Sequence, residues 1–145
     1  MPKLIPALLL PAVLATAVLA HDGVTNPAVM DRMNNMSRLG DEMKILSQMA
    51  KGQTAFDAET ADAAVQRIAA ESRRSVPLFT APETDPKSEA LPAIWTDFAD
   101  FSSKARALTQ AAQNTADTIT TASDLGPALA RLGTTCKACH DRYRK

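Results

Sequence analysis

Histidine, cysteine and aromatic residues are scarce in this chain of 145 residues, which has two histidines, two cysteines and only 4% aromatic side chains. A metal site with three histidine ligands is therefore excluded, and a Ser-His-Asp hydrolytic site would have to use one of two candidate bases. Lys and Arg together number 16, as do Asp and Glu, so no excess charge attracts nucleic acid or an anionic membrane surface. The composition argues against most hydrolases and against nucleic-acid-binding proteins.

The first twenty residues have the pattern of an export signal. Lys3 is their only charged residue, and the apolar run LIPALLLPAVLATAVLA follows it and ends in small residues typical of a cleavage site. This run is short for a membrane span, and Pro6 and Pro11 interrupt it. We expect residues 1–20 to be a cleaved signal peptide and residues 21–145 to form one periplasmic domain with no membrane span after processing. An uncleaved anchor is the alternative.

Apolar residues recur at steps of three and four along four stretches of the mature chain, and no window alternates with the period of a strand. Proline, glycine and capping residues separate the stretches. The first runs from Asn26-Pro27 to Gly52, the second from near Asp57 to Pro77, the third from around 88–92 to Ile119, and the fourth from Ser123-Asp124 onward. The pattern predicts an all-α fold, an antiparallel up-down-up-down four-helix bundle.

The main chemical signal is the string CKACH at residues 136–140. A c-type haem requires two thiols for its two vinyl groups and an imidazole for its iron. Positions i, i+3 and i+4 share one helix face, so Cys136, Cys139 and His140 can address one porphyrin, and their spacing is the c-haem attachment signature. The alternatives are a thioredoxin-like site, which expects a βαβ pattern, a zinc site, which needs a fourth ligand, and a plain disulfide.

Methionine is the candidate for the second axial ligand of the iron. All five methionines after the expected signal peptide lie in the first predicted helix. In an antiparallel bundle the start of this helix faces the end of the fourth, so Met33 or Met36 could reach a haem held by His140, and geometry alone does not choose between them. The alternatives are that the methionines simply fill the core, or that His21 at the new amino terminus binds the iron.

Four helices with C-x-x-C-H near the carboxyl end resemble the cytochrome c′ family, and the resemblance covers essentially the whole mature chain. The attachment string is its specific part. Weaker similarities follow in the expected order: RMNNMSRLG (32–40), MAKGQTAFD (49–57), LF (78–79), AIWTDFADF (93–101) and LGTTCKACHDRYR (132–144).

The resemblance implies one haem c bound covalently through Cys136 and Cys139, with His140 as the proximal iron ligand. It also implies that Arg32 corresponds to a first-helix arginine near a haem propionate. The position four residues later faces the distal side of the iron. That position is apolar or aromatic in five-coordinate, high-spin members and methionine in low-spin relatives, and here it is Met36.

We therefore expect a carrier of single electrons between redox partner proteins, with low-spin iron held by His140 and Met36. The alternative function is a five-coordinate cytochrome c′ that binds nitric oxide or carbon monoxide, with Met36 only lining the pocket. A weak peroxidase is a further alternative, but it would lack a distal histidine as acid-base catalyst.

The expected partner surface is a basic rim beside the haem, formed by Lys137, Arg142, Arg144 and Lys145, which would suit an acidic partner. The resemblance also assigns Arg144 a place near the proximal histidine. A monomer and a homodimer are both compatible with the sequence.

Overall fold

The computed structural model describes residues 23–145. The expected signal peptide and His21 lie outside the described residues. Within the described part, no helix combines the length and the apolar character needed to cross a membrane.

Four long helices form the molecule, and together with a short helix and a 3-10 turn they account for the regular structure of residues 23–145. The predicted all-α fold is confirmed. In chain order the helices are α1 (Pro27–Ala50), α2 (Ala58–Leu78), the short α3 (Ala93–Thr96), α4 (Phe98–Gln113) and α5 (Leu125–Tyr143), which follows the 3-10 turn Ala122–Asp124.

The capping residues recognised in the sequence form the helix ends. The side chain of Asn26 accepts hydrogen bonds from the backbone N–H groups of Ala28 and Val29, and Pro27 occupies the first turn of α1. Asp57 accepts from the N–H of Thr60 at 2.7 Å and begins α2. Gly52 follows α1 with φ at +67°, in the left-handed region that favours glycine.

The prediction of one continuous third helix reaching Ile119 is wrong. The chain breaks at Asp97 (φ −136°, ψ 56°), whose side chain caps the start of α4, so that α3 and α4 are separate. At the other end α4 stops at Gln113. Asn, Thr and Asp side chains dominate the following segment and compete with the helix by bonding the backbone themselves, as Thr115 does to the carbonyl of Ala111.

The helices pack in the cyclic order α1, α2, α4, α5, and in the described residues the backbones of diagonal helices do not approach each other closely. Asn35 pairs with Glu71, and Glu42 pairs with Arg67, so residue numbers rise along α1 as they fall along α2. The same reversal holds between α2 and the α4 region and between α4 and α5, which confirms the antiparallel bundle.

Two hydrophobic clusters fill the interior. The larger lies among all four long helices and has Leu46, Ile68, Leu125 and Leu132 among its buried members. The smaller is mostly aromatic and consists of the buried residues Phe79, Ile94, Phe101 and Tyr143. The aromatic cluster lies where the start of α1 meets the end of α5, and this is also the end of the bundle that contains a cavity.

Candidate functional site

A mostly apolar cavity of about 340 Å³ opens between the start of α1 and the end of α5, which is the place that the antiparallel arrangement predicted. The α2–α3 connection and single residues of α3 and α4 complete its wall. Its lining consists of Val29, Arg32, Met33, Met36, Ser37, Phe79, Ser88, Glu89, Ala90, Ile94, Phe101, Cys139, His140, Tyr143 and Arg144.

The helical period explains which side chains enter the cavity. The α1 residues that line it are spaced three, one, three and one apart, which is one face of a helix. Met33 and Met36 both lie on that face, so the structure brings together both of the methionines that the sequence offered. The end of α5 supplies Cys139 and His140 from the opposite side.

The two cysteines lie one helical turn apart near the end of α5. Both are free thiols and half-buried. Burial raises the pKa of Cys136 and that of Cys139, so both are neutral at pH 7. Cys136 packs against the larger cluster, whereas Cys139 packs against the aromatic cluster.

His140 is half-buried beside the cysteines. Burial lowers its pKa, Arg144 lowers it further, and the carboxylates of Asp141 and Glu89 oppose the shift. The imidazole is therefore neutral at pH 7, which is the protonation state that binds a metal ion. Among residues 23–145, no three His, Cys, Asp or Glu side chains are grouped as ligands of an ion, so the zinc alternative finds no ligand set there.

Arg32 lies at the cavity wall with only 3% of its surface exposed. Its guanidinium donates to the backbone carbonyls of Leu78 at 2.8 Å, Glu83 at 2.7 Å and Ala81 at 2.5 Å. It also lies over the ring of Phe79, with 5.0 Å between the guanidinium carbon and the ring centroid. Three of the five N–H groups of Arg32 thus hold the end of α2 and the connection that follows it, a role that the sequence did not reveal.

Aromatic rings form the floor of the cavity. Phe101 packs on Phe79 with centroids 5.0 Å apart and meets Tyr143 edge to face at 5.5 Å. The hydroxyl of Tyr143 donates to the carboxylate of Asp100 at 2.7 Å. Burial, together with this hydrogen bond, raises the pKa of Tyr143 to about 12, so the side chain stays protonated and the floor stays uncharged.

In the structure, three of the four side chains of the basic rim expected from the sequence pair with carboxylates. Lys137 pairs with Asp141 at 2.6 Å, Arg142 with Asp97 at 2.8 Å, and Arg144 with Glu89 at 2.6 Å. The ammonium group of Lys145 donates to the backbone carbonyl of Ser88. Carboxylates thus balance three of the four cations, which leaves little excess positive charge to attract an acidic partner.

Sequence reasoning missed the part of the wall that comes from the α2–α3 connection. Ser88, Glu89 and Ala90 reach the cavity because Ala90 pairs with Arg144 near the carboxyl terminus, 54 residues further along the sequence. A segment without periodicity offered no signal for this pairing. Phe79 was noted only as a point of resemblance, although it is buried at the centre of the aromatic cluster.

Comparison with known proteins agrees with this geometry. A family model described as Cytochrome C′ matches residues 27–144. This chain belongs to the cytochrome c′ family. Cytochrome c-556 of Agrobacterium tumefaciens (strain II Chrys) is 35% identical over 117 residues, which cover 80% of this chain and 95% of that protein. Cytochrome c′ of Pararhodospirillum photometricum is 34% identical over 118 residues, covering 79% and 93% of the two chains.

The fold of the family is shared as well. The structure of cytochrome c′ from Rhodopseudomonas palustris superimposes with a TM-score of 0.77 at 29% identity, covering 83% of this chain and 98% of that one. The present chain is therefore a c-type cytochrome with the four-helix bundle of its family, and its cofactor is a covalently bound haem c.

The residues at the cavity fit that cofactor. A large planar ring needs an apolar space, and here an apolar wall continues into an aromatic floor. Thioether bonds need two thiols, and Cys136 and Cys139 are free and one helical turn apart, although only Cys139 lines the cavity itself. A neutral imidazole, His140, follows them directly. Nothing in this donor set conflicts with the haem of the family.

Proposed function

We propose that this cytochrome carries single electrons through a haem c attached to Cys136 and Cys139, with His140 and Met36 as the two axial ligands of the iron. The observation that carries the proposal is that His140 and Met36 line the same cavity from two facing helices. This arrangement supports the proposal that α1 and α5 each supply one ligand.

The packing of the two methionines favours Met36 over Met33. Met36 lies against both hydrophobic clusters, and those two clusters also receive Cys136 and Cys139 respectively. Met33 lines the cavity one residue position from Arg32 but packs against neither cluster. Met36 thus packs against the same clusters as the two attachment cysteines, which supports its assignment as the ligand.

The bound haem supplies the reversible one-electron couple of its iron, and the protein residues set the conditions for it. His140 offers a neutral nitrogen from a helix whose end is fixed by Tyr143. Met36 would offer a thioether sulfur from the facing helix, which would raise the reduction potential relative to a second imidazole and would fill the remaining coordination site. Phe79 and Phe101 would shield the bound group from water.

The periplasm is the proposed location, because residues 1–20 have the pattern of a cleaved signal peptide. Redox proteins of the same compartment are the proposed partners. In that compartment two free thiols in C-x-x-C spacing would be oxidised if they were not used for haem attachment.

Substitution of the two methionines tests the proposal. Met36→Ala removes the sixth ligand, so we expect its iron to become high-spin and to bind carbon monoxide when reduced. Met33→Ala is the matched control, because Met33 lines the same cavity and has the same chemistry. We expect the Met33→Ala protein to remain low-spin and unreactive toward the gas.

Two outcomes would contradict the proposal in different ways. A low-spin Met36→Ala protein together with a high-spin Met33→Ala protein would make Met33 the ligand. A wild-type protein that already binds carbon monoxide would favour the alternative function, the binding of nitric oxide or carbon monoxide, with Met36 only lining the cavity.

A further inference from the structure

The carboxyl terminus closes the cavity on the side of His140 by pairing with the α2–α3 connection. The N–H of Leu91 donates to the carbonyl of Tyr143 at 2.9 Å, and the N–H of Lys145 donates to the carbonyl of Glu89 at 2.9 Å. These two bonds flank an antiparallel bridge between Ala90 and Arg144. We call residues 88–91 and 143–145 together the terminal strap.

The strap carries one ion pair at the cavity. Both Nε and a terminal nitrogen of Arg144 lie 2.6 Å from the same carboxylate oxygen of Glu89. Both side chains line the cavity, and each is about half exposed. An exposed pair contributes little to folding stability, so the pair does not explain why the strap is closed. The backbone hydrogen bonds do that without it.

The position of the pair gives it an electrostatic effect on whatever occupies the cavity. The other rim pairs, Lys137–Asp141 and Arg142–Asp97, are formed by side chains that do not line the cavity. Glu89 is thus the negative group and Arg144 the positive group that line the cavity on the His140 side. Arg32, the remaining charged residue of the lining, lies on α1 and has its own partners.

We propose that Glu89 is a positioning residue that holds Arg144 as a neutral pair beside the haem and thereby keeps the reduction potential below the value that an unpaired Arg144 would impose. The inference depends on the proposed function, because it requires haem in this cavity with His140 as ligand. Oxidised iron carries one more positive charge than reduced iron, so an uncompensated cation nearby destabilises the oxidised form.

The charge balance makes opposite predictions for the two partners. Glu89→Gln leaves Arg144 unpaired and raises the reduction potential. Arg144→Gln leaves Glu89 unpaired and lowers it. The double variant removes both charges, so its potential returns close to that of the wild type. Glu89→Asp keeps the negative charge, and its potential lies closer to the wild type than that of Glu89→Gln.

Spectroscopic redox titration of the haem-loaded proteins measures these shifts. Glu59→Gln is the matched control, since Glu59 is exposed in the first turn of α2 at the other end of the bundle. Its potential is expected to equal that of the wild type. The shifts at Glu89 and Arg144 are expected to shrink near 1 M salt, where the screening length is about 3 Å.

The visible spectra of the same samples separate the two proposals. A wild-type protein without covalent haem would overturn the proposed function and the inference with it. If the spectra show bound haem with the same ligands in all variants, an unchanged potential in Glu89→Gln would overturn the inference alone. Shifts of the same sign in both single variants would also overturn it, because they would show a structural effect rather than a balance of charge.

Discussion

Replacing Arg32 with methionine tests the structural role that this residue has at the cavity wall. The substitution keeps an unbranched side chain of similar reach but removes three charged donors from the carbonyls of Leu78, Ala81 and Glu83. It also removes the contact of the cation with Phe79 and Trp95.

The expected cost follows from these contacts. Each hydrogen bond from a charged donor is worth roughly 1.5–3 kcal/mol, but Ala81 and Glu83 are exposed, so water can take over part of the bonding. Burial lowers the pKa of Arg32, which shows that the guanidinium is held at a cost that methionine would not have. We expect the net loss in the free energy of unfolding to be about 3 kcal/mol.

Urea denaturation of the haem-loaded protein, followed by helical circular dichroism, measures this loss. Arg73→Met is the control, because Arg73 is an exposed arginine on α2, where substitutions change stability by less than about 0.5 kcal/mol. Hydrogen exchange of the amides of Phe79 and Thr80, which donate to the carbonyls of Val76 and Pro77, should accelerate in Arg32→Met only. If Arg32→Met is as stable as the control and these amides stay protected, the role assigned to Arg32 is wrong and contact with a haem propionate would be its main function.

Two further predictions concern local structure away from the haem ligands. The carboxylate of Asp85 accepts hydrogen bonds from the N–H groups of Lys87, Thr25 and Asn26, and these bonds lower its pKa. Its contribution to stability is therefore present above about pH 4 and is lost as the pH falls through the lowered pKa. Between urea midpoints measured above and below this range, the fall should be smaller in Asp85→Asn than in the wild type, and equal falls would refute the assignment. An added Cβ meets no atom within 4 Å at Gly40 or at Gly52, so the two positions differ in backbone conformation rather than in space. Gly40→Ala in the interior of α1 should stabilise the protein by about 0.5–1 kcal/mol, whereas Gly52→Ala, at φ +67°, should destabilise it by about 1 kcal/mol. Melting temperatures that shift in the same direction in both variants would contradict this.

Local signals were sufficient to predict most of the fold. Asn26, Asp57 and Gly52 act through hydrogen bonds and φ angles within a few residues of themselves, so the sequence alone located the ends of α1 and the start of α2. The third helix was predicted too long because its apolar spacing continues past Gln113. Thr115 and Ile119 are buried as the spacing implies, but they are buried in a turn whose polar side chains bond the backbone.

The site was predictable to the extent that it lies on helices. Cys139, His140, Met33 and Met36 were found because the helical period and the antiparallel order place them at one cavity. The wall formed by residues 88–91 was not found, since it depends on backbone pairing between segments far apart in the chain. For the same reason the partners of Arg144 and Arg32 became visible only in three dimensions.

The visible and near-infrared spectrum of the purified wild-type protein, oxidised and reduced, with and without carbon monoxide, tests the central claim most directly. Ligation by His140 and Met36 predicts a weak sulfur-to-iron band in the oxidised form, sharp split bands on reduction and no response to the gas. A broad high-spin spectrum that shifts with carbon monoxide would contradict the account and show an iron with an open coordination site.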